Sequence, residues 1–483
     1  MDLATHAKQE KNAVFKTSKA ALDSISKTIR LGRLNTLVQT TTNRFMKLRI
    51  FSISLGCPKT RVDTEHLLGS LHPLEPAQKI EDSDLVFINT CGFIKPAVQE
   101  SVQNILQAAA DIEILPREKR PLLAVAGCLP ARYGVDELAK ELPEVDIWLN
   151  LSEIDSWAEM IKTALKERAG HKFTNLAVNP GRMRSHASYA YIKISEGCEH
   201  KCAFCTIPAI RGPLKSFPRK DLTREAEALT AQGVKELVLV AQDLTAYGRD
   251  LNDKQALRGL LEDLARIDGL ARLRLMYLYP SGLTRDFLNF LKSIDAPLLP
   301  YFDVPVQHSH PEILAGMGRP FSKNAAKTID LIREIFPEAA LRTSLIVGYP
   351  GEREEHFEHL LDFVRKMRFH NLGAFAYQQE EGTKAALLAG QLSDETKEKR
   401  RDLIMQAQAE ISEEILAAHV GSTMEILVDE PQGEWPGLWI GRAWFQAPEV
   451  DGITYISGES LKPGDMAKAE IVESGAYDLQ ALA

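Results

Sequence analysis

Six cysteines, the only ones in the chain, fall into two groups of three. Cys198, Cys202 and Cys205, here called the compact triad, form a C-x3-C-x2-C run within GCEHKCAFC. Cys57, Cys91 and Cys128, here called the dispersed triad, are spread over about seventy residues. Three thiolates can hold a four-iron cluster by three corners and leave one iron open to a ligand. The sequence therefore predicts two [4Fe–4S] clusters, each with one open iron.

The spacing of the compact triad lets one short loop wrap three thiolates around one face of an iron–sulfur cube. The open iron of such a cluster can chelate the amino and carboxylate groups of S-adenosylmethionine. One electron then cleaves the sulfonium and yields a 5′-deoxyadenosyl radical. The competing interpretation is a zinc site with His200 as the fourth ligand. Phe204, directly before the third cysteine, and the barrel-like sequence that follows favour the radical chemistry.

Each cysteine of the dispersed triad follows a short apolar stretch, in SLGC, NTC and AGC. The stretches LRIFSISL, SDLVFINT and PLLAVAG alternate with helix-like segments such as 96–110, and this alternation predicts a parallel sheet covered by helices. Ligands of such sheets collect beyond the carboxyl ends of the strands, so three distant cysteines can converge on one point. The alternative is a set of three buried, inert thiols.

A second alternating series follows a polar linker near 170–187. Its candidate strands are YAYIKIS, ELVLVAQ, RLRLMYLY, YFDVPVQ, LRTSLIVG and LGAFAYQ. Six strand–helix units predict an incomplete TIM-type (β/α)6 barrel whose active site lies at the carboxyl ends of its strands. The fold class is therefore α/β.

Two strand ends of this barrel supply candidate ligands for S-adenosylmethionine. Gln242 and Asp243 follow the second strand and suit ribose or methionine polar groups, or simply cap the next segment. Gly348 and Gly351 form the turn after the fifth strand, where the backbone can approach a ligand closely. An ordinary strand-end turn explains them equally well. His308 and His310 are interpreted as pocket-lining or turn residues rather than metal ligands.

Composition and charge set the domain organisation. Residues 1–45 are predicted to be a basic, disordered extension, because 1–49 carry ten Lys/Arg against three Asp/Glu without a regular pattern. Domains are predicted at 46–170, 184–417 and 418–483, the last from short β runs typical of a small antiparallel barrel. That last segment carries three Lys/Arg and eleven Asp/Glu, a net charge of −8. No apolar run approaches the length of a membrane span.

The motifs resemble a known family. YIKISEGCEHKCAFCTIPAIRG is similar to the radical S-adenosylmethionine superfamily. SLGCPKTRVDTE, INTCGFIKPAVQES and AVAGCLPARY resemble the amino-terminal domain of its methylthiotransferases, and GRAWFQAPEVDGITYIS resembles their terminal TRAM domain. The resemblance covers about 47–483 and places all six cysteines on the matching positions, where it implies catalytic and cluster-binding roles. Thr60, where the family commonly has Asn, is a departure that leaves the ligands untouched.

The resemblance also implies a division of labour and a substrate. The compact triad's cluster uses S-adenosylmethionine as radical source, and the dispersed triad's cluster donates sulfur that a second S-adenosylmethionine methylates. One branch of the family modifies adenosine in tRNA, and the other the β-carbon of an aspartate in ribosomal protein S-twelve. LGCPK at 55–59, DVPVQHSHPEIL at 303–314 and QAPEVDG at 446–452 are similar to the second branch.

Charge supports the same branch. An acidic terminal barrel repels a phosphate backbone and attracts a basic protein, which the family implies for S-twelve, although acidity can also serve solubility alone. The expected partners are S-twelve, free or in the small subunit, an electron donor such as flavodoxin, and a sulfur source, with no membrane and no nucleic-acid substrate. A cytoplasmic location is expected. The alternatives are a tRNA adenosine methylthiotransferase and a non-catalytic, metal-binding ribosome-assembly factor.

Overall fold

The computed structural model describes residues 47–169, 173, 176–294, 296–319 and 324–483. The predicted extension at 1–45 lies outside the described residues. The chain divides into two compact units. Within the described residues, the first unit comprises 47–56, 63–92 and 96–183, and the second comprises 57–62, 93–95 and 184–483. The second unit therefore takes in two short segments from the amino-terminal part of the chain.

A five-stranded, all-parallel sheet forms the centre of the first unit, with the strand order β3-β1-β4-β5-β6. Its middle strands are buried along their whole length, as expected for a parallel sheet with helices on both faces. The strands of this region are β1 Leu48–Ser54, β2 Leu71–His72, β3 Leu74–Pro76, β4 Leu85–Thr90, β5 Leu122–Gly127, β6 Ile147–Asn150 and β7 Ala177–Val178.

Helices alternate with these strands, as predicted. They are α1 Pro58–Ser70, α2 Lys95–Glu113, α3 Cys128–Tyr133, α4 Val135–Glu141 and α5 Trp157–Ala169. Helix α2 buries an apolar stripe of Ile105, Ala108 and Ile112, which is the spacing of an amphipathic helix on a sheet. The segment 170–187, predicted to be an irregular linker, contains the short strand β7, which pairs with β2.

A six-stranded parallel sheet of order β15-β14-β13-β12-β11-β8 forms the incomplete barrel in the second unit, which confirms the predicted (β/α)6 arrangement. Tyr189 and Tyr191 of β8 point into the barrel, whereas Ala190 and Ile192 pack towards the helices, because side chains alternate along a strand. The strands are β8 Tyr189–Lys193, β9 Ser195–Glu196, β10 Lys215–Ser216, β11 Glu236–Val240, β12 Arg272–Leu275, β13 Leu298–Asp303, β14 Ala340–Val347 and β15 Asn371–Ala376.

The helices that cover this sheet continue to the start of the last domain. They are α6 Ile207–Arg211, α7 Arg219–Ala231, α8 Ala256–Ala265, α9 Arg285–Ser293, α10 Pro311–Gly316, α11 Ala325–Ile335, α12 Glu354–Met367 and α13 Asp394–Ala417. The charged segment predicted to be one long helix is α13, and it begins at a capping serine, Ser393, whose side chain accepts the N–H of Thr396.

A closed five-stranded barrel ends the chain, with the order β16-β17-β18-β20-β19. Its strands are β16 Thr423–Pro431, β17 Leu438–Arg442, β18 Thr454–Ser457, β19 Met466–Ser474 and β20 Leu479–Leu482. The predicted small barrel is confirmed, but it is not wholly antiparallel, because the last strand lies parallel to β18. Across the described part of the chain, no helix combines the length and apolar character needed to cross a bilayer.

Candidate functional site

The compact triad lies in a tight loop at the carboxyl end of the first barrel strand. Gly197, just before Cys198, has a φ of +75°, and a Cβ there would lie 1.9 Å from the carbonyl oxygen of Pro213. Only glycine fits such a position. The N–H of Cys198 donates to Gly212 O at 3.1 Å, and the N–H of Cys205 donates to Cys202 O at 3.2 Å. The loop is therefore fixed by backbone contacts before any metal binds.

The cysteines of this triad are partly buried. Burial raises the pKa of Cys198 and raises the pKa of Cys205 to about 12. Arg319, which is 4% exposed, places Nη1 3.7 Å from the Sγ of Cys202. Thiols with raised pKa values need a metal to stabilise their thiolate form, and metal binding then releases their protons. Three thiols beside a guanidinium suit an anionic iron–sulfur cluster.

His200 is engaged by a carboxylate and by an aromatic ring. Its Nε2 lies 2.6 Å from Oδ2 of Asp243, and its ring stacks on Tyr279 with centroids 3.8 Å apart. Arg319 lies over the same tyrosine ring at 4.3 Å. Ligand atoms of a tetrahedral zinc site lie about 4 Å from one another, and among the described residues the compact triad with His200 does not form a group whose ligand atoms all lie within 4.8 Å of one another. This arrangement disfavours the zinc interpretation and leaves the compact triad with three ligands.

Glu196 joins the predicted residue Gln242 to two cations. Its Oε2 accepts hydrogen bonds from Lys193 and Arg211, each at 2.8 Å, and its Oε1 accepts from Nε2 of Gln242 at 2.7 Å. Burial alone would raise the pKa of Glu196, but Lys193 and Arg211 outweigh it and hold that pKa well below its usual value. Among the described residues, Oε1 of Gln242 is buried without a hydrogen-bond partner, so it can accept a bond from a bound ligand.

The other three predicted S-adenosylmethionine ligands already have protein partners. Oδ1 of Asp243 accepts the N–H and the hydroxyl of Thr245, at 2.8 and 2.6 Å. The N–H of Gly348 donates to both oxygens of Glu352 at 3.0 Å, and the N–H of Gly351 donates to Gly390 O at 2.9 Å. These groups therefore shape the strand ends, and their ligand roles stay predictions.

A group of ligand-type side chains lies at the N-terminal ends of α10 and α12. His310, Glu312 and His356 have their side-chain donor atoms within 4.8 Å of one another. Nδ1 of His310 accepts the N–H of Glu312 at 3.3 Å, and Nδ1 of His356 accepts the N–H of Arg353 at 3.1 Å. A neutral imidazole has one proton, which must then be on Nε2. Both rings act as helix caps, in agreement with the turn role predicted for His310.

Parallel strand ends bring the dispersed triad's sequence neighbours together in the first unit. Thr90 pairs with Gly127, so Cys91 and Cys128 directly follow neighbouring positions of β4 and β5. Gly56, directly before Cys57, has a φ of +93°, and a Cβ there would lie 2.9 Å from the Cβ of Cys91. Ser101 holds the backbone of Cys91, accepting its N–H at 3.1 Å and donating to its carbonyl at 2.8 Å.

Cys57 itself begins the segment 57–62 of the second unit. Lys59 of this segment donates to Ala241 O at 3.2 Å, and its Nζ lies 3.9 Å above the ring of Tyr277. Burial raises the pKa of the Cys57 thiol, but the charges of Lys59 and Arg211 outweigh it, and the net result is a pKa below the ordinary value. The thiol of Cys57 therefore loses its proton more readily than the thiol of Cys205.

Sequence reasoning did not identify several residues of this site. They are Lys59, Arg211, Tyr277, Tyr279 and Arg319. Four of them are far in sequence from the residue that each contacts, and Arg211 is 15 residues from Glu196, so no local spacing marks them. Lys59 was the exception in part, since it belongs to the LGCPK pattern beside Cys57.

Comparisons with known proteins agree with this architecture. Residues 192–364 match the model of the Radical SAM superfamily, 420–483 match the TRAM domain, and 49–150 match the Uncharacterized protein family UPF0004. A protein of Nitratidesulfovibrio vulgaris, named ribosomal protein uS12 methylthiotransferase RimO, is 56% identical over 90% of this chain and 100% of its own length. Proteins of the same name from Lawsonia intracellularis and an Anaeromyxobacter species are 53% and 43% identical, over 90% of this chain and 98% and 93% of theirs.

The fold and the cysteine loop define a radical S-adenosylmethionine enzyme that carries a terminal TRAM barrel. Within that class, the chain belongs to the family of ribosomal protein uS12 methylthiotransferases RimO. S-adenosylmethionine and [4Fe–4S] clusters are the cofactors that this membership implies. The predicted family, fold class and sulfur-group transferase activity are thereby confirmed.

Proposed function

We propose that the chain adds a methylthio group to the β-carbon of an aspartate in ribosomal protein uS12. The observation that carries the proposal is the pairing of two cysteine triads, each at the carboxyl end of a parallel sheet, in a chain of this family. The compact triad would hold the cluster that binds S-adenosylmethionine, and the dispersed triad would hold the cluster that donates sulfur. Such sites at strand ends are where α/β proteins place their chemistry.

When bound, the cofactors supply an electron, a hydrogen-abstracting radical and a transferable methylthio sulfur. A radical is needed because a C–H beside a carboxylate is too weakly acidic for a side-chain base to deprotonate usefully. The chain's own part is to bind, orient and exclude water. Arg319 and His200 lie beside the compact triad. Oε1 of Gln242 can accept a hydrogen bond from the ammonium or a hydroxyl of S-adenosylmethionine. Asp243 acts indirectly, by fixing His200.

The acidic surface of the terminal barrel supports a basic protein as substrate. Asp429 and Asp451 are paired internally, with Arg442 and Arg342, so they do not contribute an uncompensated surface charge. Apart from Glu449, which pairs with Arg61, the exposed acidic residues of the barrel outnumber its exposed lysines, Lys462 and Lys468. These acidic residues are Glu425, Glu430, Glu434, Glu459, Glu470 and Glu473. Such a surface attracts a basic protein and repels a phosphate backbone.

The remaining parts of the proposal follow from the chemistry. An electron donor such as flavodoxin and a separate sulfur source are required, because cleavage of the sulfonium consumes an electron and the transferred sulfur leaves with the product. The substrate, free uS12 or the assembled small subunit, places the reaction in the cytoplasm. The domain boundaries at 46–170, 184–417 and 418–483 are kept as predictions for the design of fragments.

Mass spectrometry of uS12 from cells with and without this chain tests the proposal. A methylthio addition on one aspartate, present only with the chain, is the expected result. Unmodified uS12 in both strains, together with a methylthio adenosine in tRNA that depends on the chain, would favour the tRNA reaction. About one zinc per triad after anaerobic reconstitution, without cleavage of S-adenosylmethionine, would favour a non-catalytic scaffold instead.

A further inference from the structure

We propose that the ammonium group of Lys59 binds the carboxylate of the substrate aspartate at the mouth of the six-stranded barrel. This inference rests on the proposed function, because it takes the substrate to be an aspartate side chain. It assigns to one residue the choice of a carboxylate-bearing substrate.

Lys59 reaches the carboxyl ends of two barrel strands. Its Nζ donates to the carbonyl oxygen of Ala241, the residue that follows β11, and lies over the ring of Tyr277, two residues beyond β12. The residue is 6% exposed. The carboxyl end of a barrel is where substrates of this fold bind. The side chain therefore delivers a desolvated positive charge to the place where the substrate is expected.

The charge of Lys59 is balanced differently from the charges of the neighbouring cations. Lys193 and Arg211 share the carboxylate of Glu196, and His200 is paired with Asp243. In the part of the chain that the structure describes, the contacts of the Lys59 ammonium are a carbonyl oxygen and an aromatic face, without a carboxylate. Its charge also acts on the thiol of Cys57, two residues away, whose pKa it lowers. An ammonium group has three N–H donors, and burying it is unfavourable unless a charge or strong acceptors compensate it.

The platform beneath the ammonium is rigid. Tyr277 has a φ of +60°, a strained conformation for a residue other than glycine. Its N–H donates to Oδ2 of Asp303 at 2.9 Å, and its carbonyl accepts the N–H of Leu244 at 3.0 Å. The ring face attracts a cation without neutralising it. Lys59 is thus held in place while its charge stays available to an anion.

Two further polar atoms, at the carboxyl ends of β8 and β11, are buried without partners among the described residues: Oγ of Ser195 and Oε1 of Gln242. Orphaned polar atoms of this kind point to polar ligands. The amide oxygen can only accept and suits S-adenosylmethionine, whereas the hydroxyl of Ser195 can donate to a carboxylate. An aspartate side chain suits Lys59, because its carboxylate takes the ammonium and leaves the neighbouring methylene free for hydrogen abstraction. An amide or a neutral nucleobase would leave the charge unpaired.

A binding experiment without turnover tests the proposal. The full chain, reconstituted anaerobically with clusters and S-adenosylmethionine but without reductant, is titrated against labelled uS12 and against uS12 whose modified aspartate is replaced by Asn. The wild type should bind the aspartate form about 10- to 100-fold more tightly, the value of one charge-assisted contact. Lys59→Met should lose that preference, whereas Lys59→Arg should keep part of it.

Lys220→Met is the matched control, because Lys220 is an exposed lysine on α7. It should behave as the wild type. Iron content and the melting temperature verify that each variant is loaded and folded, and methionine is close in length to the apolar part of the lysine side chain. The affinities of the wild type and of Lys59→Met for the two forms of uS12 make a double-mutant cycle. This cycle isolates the contact between Lys59 and the aspartate, whatever the rest of uS12 contributes.

Three outcomes would overturn the inference. An undiminished aspartate preference in Lys59→Met shows that another group binds the carboxylate. A preference that persists while uncoupled cleavage of S-adenosylmethionine falls shows that Lys59 holds the carboxylate of that cofactor. A wild type that neither binds nor modifies uS12 removes the proposed function and this inference with it, whereas the first two outcomes leave the proposed function intact.

Discussion

Arg442 of the terminal barrel donates from Nη1 to Oε2 of Glu236 at 2.7 Å, and both side chains are fully buried or nearly so. Glu236 begins the second strand of the six-stranded barrel and also accepts from Nε of Arg274 at 2.6 Å. Arg442 in turn binds Asp429 of its own barrel at 2.7 Å. The terminal barrel is therefore joined to the six-stranded barrel by a shared network of buried ion pairs rather than by a surface contact.

The QAPEVDG segment belongs to the same junction. Pro448 O accepts the hydroxyl of Tyr191 at 3.0 Å, Asp451 accepts from Tyr301 at 2.7 Å and from Arg342 at 3.2 Å, and Glu449 pairs with Arg61. Three of these contacts reach residues of β8, β13 and β14. The pattern that resembled one substrate branch thus has a structural task, since it attaches the terminal barrel to the interior of the catalytic barrel.

Replacing Arg442 should destabilise the fold strongly. Arg442→Met leaves Glu236 and Asp429 without their shared cation, and breaking a buried pair of this kind costs about 3–5 kcal/mol. Urea unfolding followed by tryptophan fluorescence measures the change in the free energy of unfolding. Arg285→Met is the control, because Arg285 and Glu334 form an exposed pair whose loss should change stability little. Equal effects of the two substitutions would contradict the network.

Acid should weaken the same junction. Burial alone would raise the pKa of Glu236, but Arg274 and Arg442 outweigh it and lower that pKa to about 2 from its ordinary 4.5. A carboxylate with a depressed pKa stabilises the fold above about pH 4.5, and that contribution is lost as the pH falls towards 2. The free energy of unfolding of Glu236→Gln should therefore vary less with pH than that of the wild type in this window. Parallel curves would contradict the prediction.

The metal-free protein should show two kinds of thiol. Lys59 and Arg211 keep the pKa of Cys57 below its ordinary value against the effect of burial, whereas burial raises the pKa of Cys205 to about 12. Since the thiolate is the reactive form, the pH at which alkylation by iodoacetamide reaches half its maximal rate should be lower for Cys57. Peptide mass spectrometry across a pH series measures both sites in one sample. A lower midpoint for Cys205 would refute this order.

His200 should be dispensable for metal content. Three thiolates suffice to hold a cluster with one open iron, so His200→Ala should retain about four irons on the compact triad, whereas Cys202→Ala should lose them. Iron analysis after anaerobic reconstitution, with the electron paramagnetic resonance spectrum of the reduced cluster, provides the measurement. Loss of metal in His200→Ala would restore the zinc-type interpretation, in which this ring is the fourth ligand.

The two triads should separate in function. Cys202→Ala should abolish reductive cleavage of S-adenosylmethionine, because it removes one of the three thiols predicted to hold the cluster that binds this cofactor. Cys91→Ala should leave that cleavage intact and stop methylthiolation of uS12. Product analysis by liquid chromatography, with mass spectrometry of uS12, distinguishes the two variants. Full methylthiolation by Cys91→Ala would make the dispersed triad structural, and cleavage by Cys202→Ala would remove the radical assignment.

The regular elements were accessible to sequence reasoning because their signals are local. The stretch LVFINT is buried from end to end, and ELVLVAQ ends at Gln242 and is followed by Asp243, so each marks a parallel strand and its carboxyl end. The parallel pair β18–β20 was missed, because two short strands pair in either direction with the same alternation. The capping role offered for Asp243 is seen in its bonds to Thr245, but its other partner was missed, since His200 is distant in sequence.

The sequence by itself determined the number and spacing of the thiols, the strand ends on which they fall and the family to which the chain belongs. Only the tertiary structure decided what surrounds them. It placed Lys59 on Ala241 and Tyr277, paired Arg442 with Glu236, and turned His200 towards Asp243. The reason is physical: periodicity records which face of an element is buried, whereas the partner of a buried charge depends on packing between elements far apart in the chain.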